Sequence, residues 1–288
     1  MTTKADTGRA TTTVGERPTA ASARALLLTI LGEFAHPRDG SAWTGTLVSA
    51  LAALGVEEKS ARQTIARTAG QGLVASERHG RRVRWQTTPE GRTLLAEGTE
   101  RIYSFLRSPH TWDGEWLVVA AAVPESQRAT RHKLRTRLTW LGLGCPTPGM
   151  WIIPDAHKEA EVQSTLADLG LADRAFAWVG RRAAGTDPAS LIDAAWDLAE
   201  VRAGYHDFMV DFADRTVDSD EEAFVAQVEL IQAWRHFPFV DPDLPAELLP
   251  ADWPGPQAAT LFHTLRDRWH RRAQREWERL EQAAGERT

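Results

Sequence analysis

Between Glu57 and Arg84 the chain carries seven basic side chains, Lys59, Arg62, Arg67, Arg78, Arg81, Arg82 and Arg84, against three acidic ones, Glu57, Glu58 and Glu77. Cations at this density neutralise phosphates and displace counterions from a nucleic acid, which gives affinity without sequence preference. Ser60, Gln63, Thr64 and Arg67 stand among them, with the donors and acceptors that read base edges. Further along, Arg128, Arg131, Arg135 and Arg137 fall on one expected helix and could face water, a phosphate-bearing ligand or DNA.

Signals for catalysis are thin. Cys145 is the one cysteine, with no motif around it, and no Gly-rich phosphate loop follows a strand. His263 and His270 read as a helix-surface pair, and Asp241 and Asp243, in a Pro-rich stretch, as acceptors of backbone hydrogen bonds rather than metal ligands. The expectation is no metal, no prosthetic cofactor and no enzyme.

Positioning these groups requires elements. Residues 1–21, rich in Thr, Ala, Gly and charge, show no apolar period and read as a disordered arm. Ser22 caps a helix with the stripe Leu26, Leu27, Ile30, Leu31 and Phe34. Thr44 is the expected N-cap of a second helix, which Gly55 ends. A third runs from Glu57 to Gly70, with Ala61, Ile65, Thr68 and Ala69 on the inner face and Ser60, Gln63, Thr64 and Arg67 outside. Two strand-like runs follow, 73–77 and 83–87, joined by the basic hairpin Arg78-His79-Gly80-Arg81-Arg82, and then a fourth helix. These are the parts of a winged helix-turn-helix over 22–106, whose third helix enters the DNA major groove. A winged helix that only contacts protein remains the alternative.

Over 107–184 the pattern changes to a buried strand at 116–123, a helix at 125–141, a short strand near 143–145, a strand at 150–153, a helix at 158–169 and a strand at 175–179. That order suggests a ferredoxin-like βαββαβ sandwich. From 185 to 288 helical periodicity dominates, with one helix spanning Leu191 to Leu198 and a last one from Gln257 to Glu281, a helical domain for an effector or for dimerisation. The fold class is therefore α+β.

Composition agrees with an ordinary globular chain: 288 residues, 42% hydrophobic, 25% charged, net charge -5. Residues 187–288 hold 21 acidic and 10 basic groups, so the front is basic and the back acidic; a solvated acidic helical surface accounts for the back. No apolar run approaches the roughly 20 residues that span a bilayer, so a cytoplasmic protein without membrane contact is expected.

Trp43-Thr44-Gly45, Ala61-Arg62-Gln63-Thr64-Ile65-Ala66-Arg67, Arg81-Arg82-Val83-Arg84-Trp85, Trp112-Asp113-Gly114-Glu115-Trp116, Arg135-Thr136-Arg137-Leu138-Thr139-Trp140-Leu141-Gly142 and the run from Trp234-Arg235-His236-Phe237-Pro238-Phe239 to Trp253-Pro254 together resemble the PaaX family of bacterial transcriptional repressors, colinearly over about 22–282. The resemblance implies a bacterial, homodimeric repressor of phenylacetate catabolism that binds double-stranded operator DNA and is released by phenylacetyl-CoA or a related acyl-CoA. Such an effector needs basic groups for its phosphates, with Arg128, Arg131, Arg135, Arg137 and Arg235 as candidates. It also needs an apolar pocket for its acyl end, with Trp140, Trp151, Trp234, Phe237 and Phe239 as candidates; for each aromatic the other reading is plain core. The resemblance also implies a central domain similar to the small CRISPR-adaptation nuclease. That nuclease holds its metal with an Asp on the first strand, whereas here the strand reads Val118-Val119-Ala120-Ala121-Ala122-Val123 and offers no oxygen ligand.

Overall fold

The computed structural model describes residues 21–107, 112–183, 185 and 187–286; the expectation of a disordered arm lies, but for residue 21, outside them. The Ser22 hydroxyl accepts the Ala25 amide and opens α1 (Ala23–Ile30). The helix widens into a π turn over Leu31–Ala35, which buries Leu31, Glu33, Phe34 and Ala35 together. After β1 (Ser41–Trp43), α2 (Thr44–Ala53) begins with Trp43, not Thr44, at the N-cap position. Thr44 instead donates its hydroxyl proton to the Val83 carbonyl and accepts from the Trp85 indole, so it ties α2 to the hairpin. Gly55, at φ 79°, ends that helix in the left-handed region.

α3 (Glu58–Gly70) leads to the antiparallel hairpin β2 (Val74–His79) and β3 (Arg82–Thr87), and β1 adds to β3, giving the order β1-β3-β2. α4 (Pro89–Ser104) is capped by the Thr88 hydroxyl. Gly91 sits in its first turn because a Cβ there would run into the Leu73 carbonyl.

The second sheet holds β4 (Glu115–Ala121), β5 (Gly144–Thr147), β6 (Met150–Ile153) and β7 (Ala175–Arg181), antiparallel in the order β5-β6-β4-β7. Leu117 and Val119 turn toward α5 (Arg128–Trp140) and α6 (Glu159–Asp168), which answer with Leu134, Leu138, Val162 and Leu166. Trp116 and Ile152 turn to the opposite face, against Ile192 of α7 (Pro188–Ala195) and Leu244 and Leu248. Alternation along the strands thus serves two cores, one per face.

The expected single helix over 191–198 is two. Trp196 adopts extended backbone, and Asp197 caps α8 (Leu198–Phe212) through the Glu200 amide. α9 (Asp220–Trp234) starts in a reciprocal Ser219–Glu222 capping box. Pro238 opens the single turn α10 (Phe237–Val240), a position that tolerates a missing N–H. α11 (Gly255–Glu286) runs 32 residues, about 48 Å. Its first half fills the C-terminal core with Phe262, Leu265 and Trp269. Its second half fills the N-terminal core, where Ala273, Trp277 and Leu280 join Leu27, Ile30 and Phe34. Phe34 packs 4.8 Å from Phe224 of α9 and 5.7 Å from Trp277. The fold is α+β, two small antiparallel sheets set among helices. Among the described residues no helix is long and apolar enough to cross a membrane.

Candidate nucleic-acid interface and ligand cavity

The inner stripe of α3 is Ala61, Thr64, Ile65 and Thr68, all buried. At 100° per residue Thr64 lies 60° from Ala61, within an apolar face of ordinary width. Thr64 therefore packs inside, where its carbonyl accepts the Thr68 hydroxyl, and it is not available to a base edge. Lys59, Arg62, Gln63 and Arg67 are exposed and Ser60 is half-buried on the outer side. Arg62 is held back by its neighbour one turn earlier, 2.8 Å from Glu58.

The hairpin presents Arg78, His79 and Arg81 to solvent, with Arg78 steered by the Gly80 carbonyl and His79 3.2 Å from Glu77. Arg82 lies over the Trp43 ring at 4.7 Å. Arg84 differs from the other basic residues in kind. It donates to the Ser41 hydroxyl at 2.6 Å and to the Asp39 carboxylate at 3.0 Å, so it braces β3 against the loop before β1 rather than offering a free charge.

The second set of candidates separates in the same way. Trp151, Trp234 and Phe237 are core residues: Trp151 packs among Leu117, Leu138 and Val162, and Trp234 and Phe237 among the rings of the C-terminal helices. Phe237 stacks on Tyr205 at 4.1 Å, Trp234 on Phe262 at 4.8 Å. Arg235 is half-buried beside Gln232, and burial together with the nearby Arg24 draws its guanidinium below the usual value. Arg137 pairs with Asp168 at 3.0 Å. Arg128, Arg131 and Arg135 are exposed and have no ion pair among the described residues.

Trp140 and Phe239 meet at 4.8 Å, and both line a cavity of about 670 Å³. Its walls come from three stretches of the chain. The end of α4 supplies Arg101 and Phe105; the central sheet and its helices supply Thr139, Trp140, Ile153, His157 and Lys158; the C-terminal part supplies Trp196, 238–243 and Pro245. The Arg101 guanidinium covers both rings, 4.3 Å from Trp140 and 4.5 Å from Phe239, and donates to the Pro238 carbonyl at 2.9 Å. Desolvation there lowers its affinity for a proton, opposed by Glu161.

On the same wall Asp241 is buried. It accepts the Tyr205 hydroxyl at 2.6 Å and the Asp243 amide at 2.8 Å, the backbone-accepting role expected of it. Burial pushes its carboxyl up to about 6 despite those bonds. Among the described residues no cluster of His, Cys, Asp or Glu could hold a metal.

Sequence reasoning passed over Arg101, His157 and Lys158, which no motif marks. It also passed over Glu33, a buried carboxylate where the N-terminal and C-terminal helices meet. Gln227 of α9 donates to it at 2.7 Å, Arg266 and His270 of α11 approach within 3.3 and 3.6 Å, and Tyr103 of α4 donates its hydroxyl proton. Burial would raise its carboxyl, but the contacts to His270, Arg266 and Tyr103 prevail and hold it below the usual range. His270, itself half-exposed, therefore belongs to the network around buried Glu33 rather than to a surface pair with His263. A signal existed: Glu33 is seven residues from Leu26 and three from Ile30, on the apolar face of its own helix.

Three family models match the chain in sequence order: PaaX-like protein over 22–91, PaaX protein central Cas2-like domain over 109–192, and PaaX-like protein C-terminal domain over 196–279. The transcriptional repressor PaaX of Escherichia coli K12 is 29% identical over 253 residues, which is 83% of this chain and 78% of that one. A solved structure, the uncharacterized protein Rv0674 from Mycobacterium tuberculosis, superposes with a TM-score of 0.61 at 25% identity, covering 88% of this chain and 98% of its own.

Proposed function

Because this chain belongs to the PaaX family of transcriptional regulators, we propose that it represses genes of phenylacetate catabolism by binding operator DNA, and that phenylacetyl-CoA or a related acyl-CoA releases it. The observation that carries the reading is the exposed basic surface of α3 and the β2–β3 hairpin on a protein of net charge -5. In this reading 22–106 is a winged helix-turn-helix. α3 lies in the major groove, Gln63, Arg67 and Ser60 face base edges, and Lys59, Arg62, Arg78, His79 and Arg81 hold phosphates. Arg82 and Arg84 shape the wing through Trp43 and Asp39. Thr64 has no part in base reading.

The sheet order β5-β6-β4-β7 with both helices on one face supports a ferredoxin-like reading of 107–184, and the helices of 185–288 form the third unit. No catalytic step is assigned to any of the three.

For the effector, the cavity supports an aryl end against Trp140 and Phe239 beneath Arg101. Thr139 lines the cavity, and Arg135, Arg131 and Arg128 lie four, eight and eleven residues before it, along one face of α5. That stripe, about 16 Å long, would meet phosphates outside the cavity mouth. A ligand bound where three parts of the chain converge shifts the protein toward whichever arrangement holds it more tightly, and release of DNA follows if that arrangement separates the two basic surfaces of a dimer from their half-sites.

Fluorescence anisotropy on the chain's own upstream DNA and on a scrambled duplex, across a salt series, tests the reading. Specific binding released by phenylacetyl-CoA but not by phenylacetate or acetyl-CoA is expected. Gln63→Ala should lose base preference, whereas Arg81→Ala should weaken both duplexes alike and reduce the salt slope by about 1. Equal specificity ratios in both variants would remove the residue roles.

A further inference from the structure

The N-terminal and C-terminal helices are tied by directional bonds. Gln232 of α9 donates to the Ala25 carbonyl at 2.9 Å and to the Thr29 hydroxyl, Gln227 donates to Glu33 at 2.7 Å, and Trp234 gives its indole proton to the Ile102 carbonyl at 3.1 Å. Arg38 reaches Gln274 and Glu278 of α11. Behind these bonds Ala273, Trp277 and Leu280 of α11 and Phe224 and Val228 of α9 complete the core of α1 and α2. α8 joins the same helices through Tyr205 and Phe208. Hydrogen bonds fix register and close packing fixes spacing, so residues 22–106 and the helices α8, α9 and α11 are one body.

The central sheet and its helices meet that body through contacts of another kind. Leu244 and Leu248 pack beside Trp116 and Ile152. At the cavity, Trp140 of α5 lies against Phe239 and under the Arg101 guanidinium. Arg101 spends its hydrogen bond on the Pro238 carbonyl, within its own body. Glu161 of α6 attracts it from beyond ion-pair distance and is itself paired with Lys158 at 2.8 Å. Apolar contact is non-directional, so one face can turn on the other where a hydrogen-bonded seam could not.

We infer that Arg101 is the clasp of this joint and that the aryl ligand acts as a wedge in it, parting Trp140 from Arg101 and Phe239 and turning the whole DNA-binding body on the central sheet. The inference rests on the ligand position proposed above, and the spacing there requires the movement. The guanidinium stands 4.3 and 4.5 Å from the two ring centres, and the rings stand 4.8 Å from each other. A further ring stacked on Trp140 needs about 3.5 Å of its own, so it cannot enter while all three groups stay in contact. Arg101 is bonded beside Phe239 at Pro238, and the two residues after it are fixed in the same body, Ile102 by Trp234 and Tyr103 by Glu33. The displacement is therefore passed to the body rather than absorbed by one side chain. Arg101 is a positioning residue in this device, and the basic surface of α3 travels with the C-terminal helices instead of swinging alone.

Distances between paired spin labels, measured by pulsed electron resonance on the full chain with Cys145→Ser, test the joint; dilution with unlabelled protein keeps one labelled copy per assembly. Labels at Glu97→Cys and Asp214→Cys report within the body, and labels at Glu97→Cys and Gln163→Cys report across the joint; all three positions are exposed. Saturating phenylacetyl-CoA should shift the distance across the joint on the scale of a ring thickness, about 3.5 Å, and leave the distance within the body unchanged to about 1 Å. Without any ligand, Arg101→Ala should broaden the distribution across the joint and leave the other as narrow as before. A ligand that binds without moving the first distance, or that moves the second, overturns the wedge; an Arg101→Ala distribution as narrow as that of the unsubstituted chain overturns the clasp. Calorimetry on the same samples reads binding separately. If phenylacetyl-CoA does not bind, the ligand reading falls, and the Arg101→Ala distances still decide whether the joint is held as inferred.

Discussion

Glu33 and Asp241 are both buried carboxylates that accept a tyrosine hydroxyl, yet they sit on opposite sides of their normal proton affinity. Glu33 has Arg266 and His270 against it and stays ionised. Asp241 has Tyr205, one backbone amide and the like charge of Asp243 nearby, and burial carries it up to about 6. Burial alone does not set the charge state of an acid; the presence of a cation in the same pocket does. The first carboxylate joins helices that are remote in sequence into a fixed seam. The second leaves a wall of the cavity able to change charge near neutrality.

The most disruptive way to break this comparison is to delete the ionised acid. Glu33→Ala leaves Arg266, Gln227 and Tyr103 without their common partner, and about 3–5 kcal/mol of stability should be lost, read from urea denaturation at pH 7. A loss near zero would mean that the seam relaxes onto water and that Glu33 is no latch.

The pH dependence of the two groups should have opposite signs. The folded-state carboxyl of Asp241 is raised from 3.8 to about 6, so the stability tied to its protonated form is complete below the unfolded value and is lost as pH rises through 6. By about 1.4 kcal/mol per unit this amounts to about 3 kcal/mol at most. Asp241→Asn should remove that decline between about pH 4 and 7. Glu33 is lowered from 4.5, so its contribution is present above that value and disappears as pH falls through the folded one. Melting curves of the wild type and the Asp241→Asn and Glu33→Gln variants from pH 3 to 8 check both signs, and parallel curves for all three would refute the contrast.

The smallest effect on stability, and the sharpest on function, is expected at Trp140. Its side chain is 53% exposed, so Trp140→Ala should change stability by no more than about 0.5 kcal/mol. Phenylacetyl-CoA affinity measured by calorimetry should nonetheless fall about five- to tenfold through the lost ring contact. Unchanged affinity would detach the aromatic pair from the effector.

Much of the architecture is legible in the sequence because it rests on local signals. Ser22 as a cap, the stripe from Leu26 to Phe34, Gly55 as a helix end and the succession of strands and helices along 115–181 need only neighbours a few residues away. The errors are local too. Thr44 resembles a cap by type, but Trp43 takes that position while Thr44 spends its hydroxyl on Val83 and Trp85. Thr64 is polar, so composition sends it outward, but helical geometry places it between Ala61 and Thr68 and turns it in. For the proposed ligand site, chemistry alone gathered ten residues, and of these only Trp140 and Phe239 line the cavity, together with Arg101, His157 and Lys158, which carry no motif.

The sequence by itself determined which residues form each element, which side of it is apolar and where the positive charge lies, since periodicity and charge are properties of short stretches. Only the tertiary structure decided what each apolar side is buried against. The hydrophobic effect is non-directional, so the stripe of α11 does not say that its first half completes one core and its second half, through Trp277 and Leu280, completes another more than 200 residues away in the chain. Nor could the sequence assign a charge state to Glu33 or Asp241. That depends on whether Arg266 or Tyr205 arrives beside the carboxylate, and on the exclusion of water once it does.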